Sequence, residues 1–278
     1  MKPTKGPLAG IRVMDISIMA AGPWAGALLG MLGAEVIKVE PPAGDGTRLV
    51  TPMQRGIGTN FIAMNVNKTG IKLDLKSDAG RAQALELAAH CDVFLQNLRV
   101  GVMPRLGLDY EALKNINPRL VYCSVSGYGE TGPLAQAGCA DPIMQAYSGF
   151  ARGNGAAGDD LEAFRFTGFL DLATAGLAAE AIMAALLQRE STGLGQHVGV
   201  SMLEAAFEVQ ATRVAEWLGG GVAAAPRGSA SCMLAPDRAF ATLDREVFVT
   251  ACSDAEWRGF CKAIERSDLI DDARFADN

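Results

Sequence analysis

The chain has 278 residues, 49% hydrophobic and 20% charged, with a net charge of -6. That length and apolar content exceed one minimal domain, so one large domain plus part of another is expected. The acidic balance, without any dense Lys/Arg run, excludes an extended nucleic-acid surface. Two histidines, His90 and His197, leave little for histidine-based metal or triad chemistry. The six cysteines (Cys91, Cys123, Cys139, Cys232, Cys252, Cys261) contain no CxxC pair, so neither a zinc site nor a disulfide framework is expected. Reduced thiols in a cytoplasmic protein are the simplest reading.

From the N-terminus, IRVMDIS (11–17) predicts a strand, Pro23 to Leu32 a helix, and EVIKVE (35–40) a second strand. Residues 16–34 carry no charge, a membrane-like feature by length alone. Gly22-Pro23 interrupts the run and Ala and Gly dilute it, so strand, turn and buried helix explain it better than a membrane segment. IKLDL (71–75), a helix over 78–90, DVFLQN (92–97), a short helix near 109–116 and LVYCSVS (120–126) follow. This is the βαβ rhythm of a parallel sheet covered on both faces.

Further on, the pattern predicts helices over 141–150, from Asp171 onward, and over 201–218. From Leu172 to Gln188 the only charge is Glu180, which marks a helix buried on most of its circumference. The tract GGGVAAAPRGSAS (219–231) reads as a linker. RAFATLDREVFVTAC (238–252) alternates like a hairpin about Asp244-Arg245, and a helix begins near Asp254. The division expected is a large domain over 1–218 and the start of a smaller α+β domain over 232–278.

Asp171 is the main chemical candidate. It is expected at the N-terminus of an apolar helix, where free amides and the helix dipole favour a charged oxygen in dry surroundings. Such a carboxylate is either a cap or a nucleophile. SIMAAGPWAG lacks GxGxxG spacing, so a nicotinamide dehydrogenase is disfavoured. Arg48 in PPAGDGTR meets an anion or belongs to a simple turn, and the Pro/Gly content favours the turn. Lys76, expected at a strand's C-terminal end, and Asn97, Arg99 and Arg105 after the next strand suit a phosphorylated ligand, or are ordinary solvated residues. His197 has no evident acid partner, and Cys123 and Cys139 have no base or dipole to activate them.

In order and spacing these motifs resemble the family III CoA-transferases, the group that includes formyl-CoA and carnitine CoA-transferases and is related to the α-methylacyl-CoA racemases. PLAGIRVMDISIMAAGPWAGALLGMLGAEVIKVEPPAGD is similar to that family's N-terminal signature. NKTGIKLDLK, DVFLQNLRVGVMPRLGLDYEALKNINPRLVYCSVSGYGETGP, the Asp171 block, TGLGQHVGVSM and DARFADN fall in the family's order. The resemblance implies a homodimer of interlocked rings, each with a Rossmann-like large domain, a linker, a small domain and a final return to the large domain. This sequence ends before that return.

The resemblance also implies that Asp171 attacks an acyl-CoA thioester and that no metal or redox cofactor is needed, coenzyme A being a substrate. By position, Leu75 and Lys76 match adenine and phosphate contacts, Asn97 and Leu98 lie along the CoA, and Arg105 matches a phosphate-binding arginine. Asp141 matches an acidic residue beside the active site, and backbone N–H groups of the AAGP turn, beginning at Ala20, suit an oxyanion. The chain departs from the formyl-CoA transferases, which have Gln at Ala20, Arg at Pro41 and Tyr at Ala140, so oxalate or formate specificity is not inherited. The racemase branch has a catalytic His at Ala140, so its absence disfavours racemase activity. The expected function is CoA transfer between an acyl-CoA and a carboxylic acid. The alternatives are an acyl-CoA isomerase or racemase, or a non-catalytic CoA-binding subunit that needs a partner chain.

Overall fold

The computed structural model describes residues 6–155, 166–223, 225–231 and 233–275. Cys232 and the last residues of DARFADN lie outside the described residues. In chain order the first half comprises β1 (Arg12–Asp15), α1 (Ala21–Met31), β2 (Glu35–Glu40), a small hairpin of β3 (Met53–Gln54) and β4 (Ile57–Gly58), α2 (Thr59–Met64), β5 (Lys68–Lys72), α3 (Asp78–Ala89), β6 (Val93–Gln96), α4 (Val102–Leu106), α5 (Tyr110–Ile116) and β7 (Val121–Ser126). Then come α6 (Asp141–Tyr147), α7 (Phe150–Gly153), α8 (Phe169–Thr192), β8 (His197–Ser201), α9 (Met202–Glu208), α10 (Ala211–Gly220), β9 (Asp237–Ala241), β10 (Glu246–Thr250) and α11 (Asp254–Ala263).

Six strands form one sheet in the order β5-β2-β1-β6-β7-β8. Every pairing in it is parallel, from Arg12 opposite Glu35 to Ser126 opposite Ser201. The chain winds outward from β1 through β2 to β5, then restarts at β6 and winds the other way. This doubly wound order places a switch point between β1 and β6, where the connections diverge and leave a crevice beyond the strand ends.

Neighbouring strand residues point to opposite faces, which explains the two cores. Val13, Leu95 and Cys123 face α1 and α8, where they meet Ala25, Leu29, Ala178 and Ile182. Met14, Phe94 and Tyr122 face the other way, toward Ala84 and Ala88 of α3 and Leu113 of α5. α8 is long and apolar enough to cross a membrane by length and composition, but its Ala175, Ala178, Ile182 and Ala185 are buried in the first core. Its small side chains let the sheet and α1 approach closely, and burying Ile182 alone contributes about 2 kcal/mol.

Three expected elements differ. The third strand of the sheet in sequence is Lys68–Lys72, not 71–75, because β2 draws 68–72 into register from Val36 to Glu40. The helix over 141–150 stops at Tyr147, since Gly149 turns into the left-handed region at φ 77 before α7. The helix over 201–218 divides into α9 and α10. At the break the Gln210 side chain donates to Ala206 O at 2.9 Å and its N–H bonds back to Phe207 O at 3.2 Å, tightening the turn.

The described residues fall into two compact units, one within 6–148 and 166–214, the other within 149–155 and 215–275. In the second, β9 and β10 pair antiparallel from Asp237–Thr250 to Ala241–Glu246. Ser253 caps α11 by accepting from Glu256 N–H, and Trp257 packs against Phe260 and Phe275 at 5.9 and 5.5 Å between ring centroids.

Candidate active site

A cleft of about 280 Å³ opens at the switch point, lined by the segments after β1, β6 and β7 and by the entrances of α6 and α8. Ala20, Asn97, Leu98, Asp141 and Asp171 all line it. The segment after β1 is tied down from below. Asp15 is fully buried and pairs with Lys68 at 2.7 Å, while Lys38, 2% exposed, pairs with Asp45 at 3.2 Å and donates to Ser17 O. Across the crevice the Asn97 amide bonds both backbone groups of Ile18.

The entrance of α8 corrects one expectation. Its N-cap is Gly168, left-handed at φ 74, and Asp171 is the third helical residue. The cap is supplied by another element: Asp141 accepts from Gly168 N–H at 3.2 Å, Leu170 N–H at 2.9 Å and Asp171 N–H at 3.3 Å. Gln145 Nε2 donates to the same carboxylate at 2.6 Å. Asp141 itself sits at the start of α6, so two helices converge on one buried charge. The Asp171 carboxylate is left without a hydrogen-bond partner among the described residues. Burial, then the negative charge of Asp141, raise its pKa from 3.8 to about 6. The helix terminus therefore does not keep this carboxyl strongly acidic, because its free amides already serve Asp141.

Among the other predicted residues, Leu75 packs into the α3 side of the core, and Lys76 lies in the turn before α3 rather than at a strand end. Lys76 donates its own N–H to Asp74 Oδ1 at 3.0 Å. Arg105 closes α4 and is exposed. These three lie outside the cleft walls. The side chains of Lys76, Arg99 and Arg105 form no ion pair or hydrogen bond among the described residues, and Arg99 lines the cleft. Arg48 is engaged elsewhere: it grips Glu40 through two bonds of 2.6 Å and stacks over Phe61 at 3.9 Å, holding the Glu40 carboxyl below the usual range. Asp45 caps the following turn, as the Pro/Gly content suggests.

His197 does have an acid partner. Its Nε2 lies 3.2 Å from Glu130 Oε2 and 2.9 Å from Ser124 Oγ. Because both groups meet the same ring nitrogen, the trio does not form the serine-histidine-acid relay, which needs one partner on each nitrogen. Nothing near Glu130 in the sequence marks it, since the contact crosses from a loop to an edge strand. Burial pushes the Cys123 thiol up to about 12 and also raises Cys139, so neither is an activated nucleophile.

The chain matches the family model described as CoA-transferase family III over residues 8–278. It is 38% identical to a mouse protein named succinyl-CoA:glutarate CoA-transferase, over 98% of this chain and 63% of that one. It is 36% identical to an Acetobacter aceti protein named acetyl-CoA:oxalate CoA-transferase, over 99% of this chain and 71% of that one. Its structure resembles that of a CAIB/BAIF family protein from Brucella suis with a TM-score of 0.87 at 33% identity, covering 99% of this chain and 74% of the other. The chain thus spans less than two thirds of the mouse relative's length.

Proposed function

The chain belongs to CoA-transferase family III, and from that premise we propose that it moves coenzyme A from an acyl-CoA to a carboxylic acid with Asp171 as the covalent nucleophile. The observation that carries this reading is the division of labour between two carboxylates. Asp141 caps α8, while Asp171, the third residue of that helix, holds its carboxylate in the cleft without a hydrogen-bond partner among the described residues. A desolvated carboxylate titrating near 6 is ionised at neutral pH, yet more basic and more nucleophilic than one in water.

The Asp171 carboxylate attacks the thioester carbonyl carbon, the C–S bond breaks, and an aspartyl anhydride forms beside CoA thiolate. The thiolate then attacks the Asp171 carbonyl carbon, releases the donor acid and leaves an aspartyl-CoA thioester. An acceptor carboxylate displaces the thiolate to give a second anhydride. The thiolate attacks the acceptor's carbonyl and restores the Asp171 carboxylate. Covalent catalysis divides one hard exchange into easier steps, and the energy of the thioester is retained provided water is kept away. The N–H groups of Ala21 and Gly22 have no intrahelical acceptor, and Ala20 gives α1 no side-chain cap, so they suit the oxygen that gains charge in each step. The exposed Lys76, Arg99 and Arg105 suit the phosphates of coenzyme A.

Proton exchange at an acyl α-carbon requires two acid/base groups. Asp141 is engaged by four donors and Ala140 carries no titratable group, which favours transfer over racemisation. The acceptor class to try first is the dicarboxylic acids in the relatives' names, glutarate and oxalate. The reading extends to a homodimer, tested by the molar mass of the protein in solution.

The deciding experiment is the intact mass of the protein after incubation with a panel of acyl-CoAs, quenched in acid. An acyl- or CoA-sized adduct that hydroxylamine removes and Asp171→Ala lacks is the expected result. An Asp171→Ala variant with full transferase activity would sink the assignment.

A further inference from the structure

Four successive backbone groups after β1 are engaged by side chains. Ser17 N–H donates to Asp15 Oδ1 at 2.9 Å, and Ser17 O accepts from Lys38 Nζ. Ile18 N–H donates to Asn97 Oδ1 at 2.8 Å, and Ile18 O accepts from Asn97 Nδ2 at 2.7 Å. Both polar ends of the Asn97 side chain are therefore used on the backbone of a single residue. Asn97 follows β6 and Ile18 follows β1, so this pair of hydrogen bonds closes the sheet's switch point. Asn97 also sits against the first turn of α1, where a Cβ added to Gly22 would lie 3.2 Å from its Cγ.

Beyond Ile18 the chain has little support of its own. Met19 adopts φ 68, a left-handed conformation that a residue with a side chain holds only when its surroundings impose it. Ala20 then enters α1 without a cap, and Ile18 to Ala21 line the cleft that holds Asp171.

Resting on the nucleophile reading above, we propose that Asn97 is a positioning residue. It fixes Ile18, and through it Met19 to Ala21, as a rigid wall of the cleft, and it does not hold coenzyme A through its amide. Donors fixed in advance stabilise developing charge without reorganising, whereas a wall that drifts by an ångström loses that advantage.

Three measurements on the full chain, with Asn97→Ala and the near-isosteric Asn97→Asp, test this. Asn97→Asp keeps an acceptor for Ile18 N–H but sets a carboxylate oxygen against Ile18 O, so it serves if the alanine variant fails to fold. Hydrogen exchange over residues 17–22 is expected to quicken in both. Rapid-quench acylation of Asp171 by acetyl-CoA is expected to slow about 10- to 100-fold, with the dissociation constant for coenzyme A changed by less than about threefold. Unchanged exchange, or a dissociation constant that rises in step with the loss of rate, overturns the proposal. If the unaltered chain forms no adduct with any acyl-CoA, the nucleophile reading fails by itself. Exchange over 17–22 then decides the clamp: faster exchange sustains it and unchanged exchange overturns it.

Discussion

The carboxylate of Asp141 accepts the backbone N–H of Asp171 at 3.3 Å, so one acid caps the helix that carries the other. Burial makes the Asp171 carboxylate more basic than usual, and the pair explains why the helix entrance does not offset that. The amides and dipole that would have stabilised the Asp171 charge are aimed at Asp141, whose own charge then opposes that of Asp171.

The rate of Asp171 acylation should therefore follow a single ionisation. Only the carboxylate attacks, so the rate is expected to be flat above pH 7, half-maximal near the raised pKa of about 6, and about tenfold lower for each further pH unit. Single-turnover quench between pH 5 and 8 reads it. A half-point below pH 5 would mean that burial does not govern this group.

Asp171→Asn should stabilise the protein at neutral pH. The folded state binds the Asp171 proton more tightly than the unfolded chain, so ionisation of this group lowers stability as pH rises from 3.8 to about 6. Removing the charge should recover about 1–3 kcal/mol above that window, the lower end allowing for solvent at the cleft mouth, and nothing below it. Urea unfolding at pH 7.5 and pH 4 supplies the comparison. Equal differences at both pH values would argue against the linkage.

Asp141→Ala should cost about 2–4 kcal/mol, since it removes a cap, leaves the Gly168, Leu170 and Asp171 N–H groups without their acceptor and takes one of two acceptors from Gln145 Nε2. Asp141→Asn keeps one oxygen and removes the charge, so it should cost less and move the acid limb of the acylation profile to lower pH. Thermal unfolding and the pH profile together separate the capping role from the electrostatic one. An unmoved acid limb in Asp141→Asn would remove Asp141 as a cause of the shift.

Gly22→Ala tests the packing under the same wall. The new methyl would lie 2.3 Å from Ser17 Cβ and 2.7 Å from its Oγ, and Ser17 is fully buried, so it has nowhere to move. A loss of about 1–3 kcal/mol is expected by thermal melt, with faster hydrogen exchange over 17–22. A variant as stable as the parent would show the loop to be softer than its contacts suggest.

The buried pair of Asp15 and Lys68 joins β1 to β5 across β2, with Lys68 Nζ also reaching Pro23 O at 2.6 Å and Asn65 Oδ1 at 3.0 Å. Lys68→Met should cost about 3–5 kcal/mol, because it leaves the Asp15 charge buried and uncompensated. Lys68→Met with Asp15→Asn should recover much of that loss, as a double-mutant cycle in urea would report.

Much of the fold was legible in the chain because local patterns carry it. The apolar segments at 92–97 and 120–126 read as parallel strands, and each holds one. The Ala-rich stretch after Asp171 read as a helix buried on most of its circumference, and it is a helix that buries one face while Leu172 and Leu187 stay exposed. The breaks at Gly149 and Gln210 were not legible, since one depends on a backbone angle and the other on a side chain returning to Ala206 O. In the site, Asp171 stood out by residue type and surroundings. Asn97 was offered with Arg99 and Arg105 as suited to a phosphorylated ligand, Asp141 and Ala20 were named only through resemblance, and the contacts of all three were not foreseen.

The sequence by itself determined the class of sheet, the cleft carboxylate and the family, because hydrophobic period, residue type and motif order are local or linear properties. The tertiary structure decided which acid caps α8, why Asp171 titrates near 6, and that Asn97 closes on Ile18 and His197 on Glu130. Those relations join residues between 27 and 79 positions apart. The winding of β1 and β6 away from a common switch point, the packing of α8 beside α6 and the pairing of β8 with β7 bring such residues within hydrogen-bond reach.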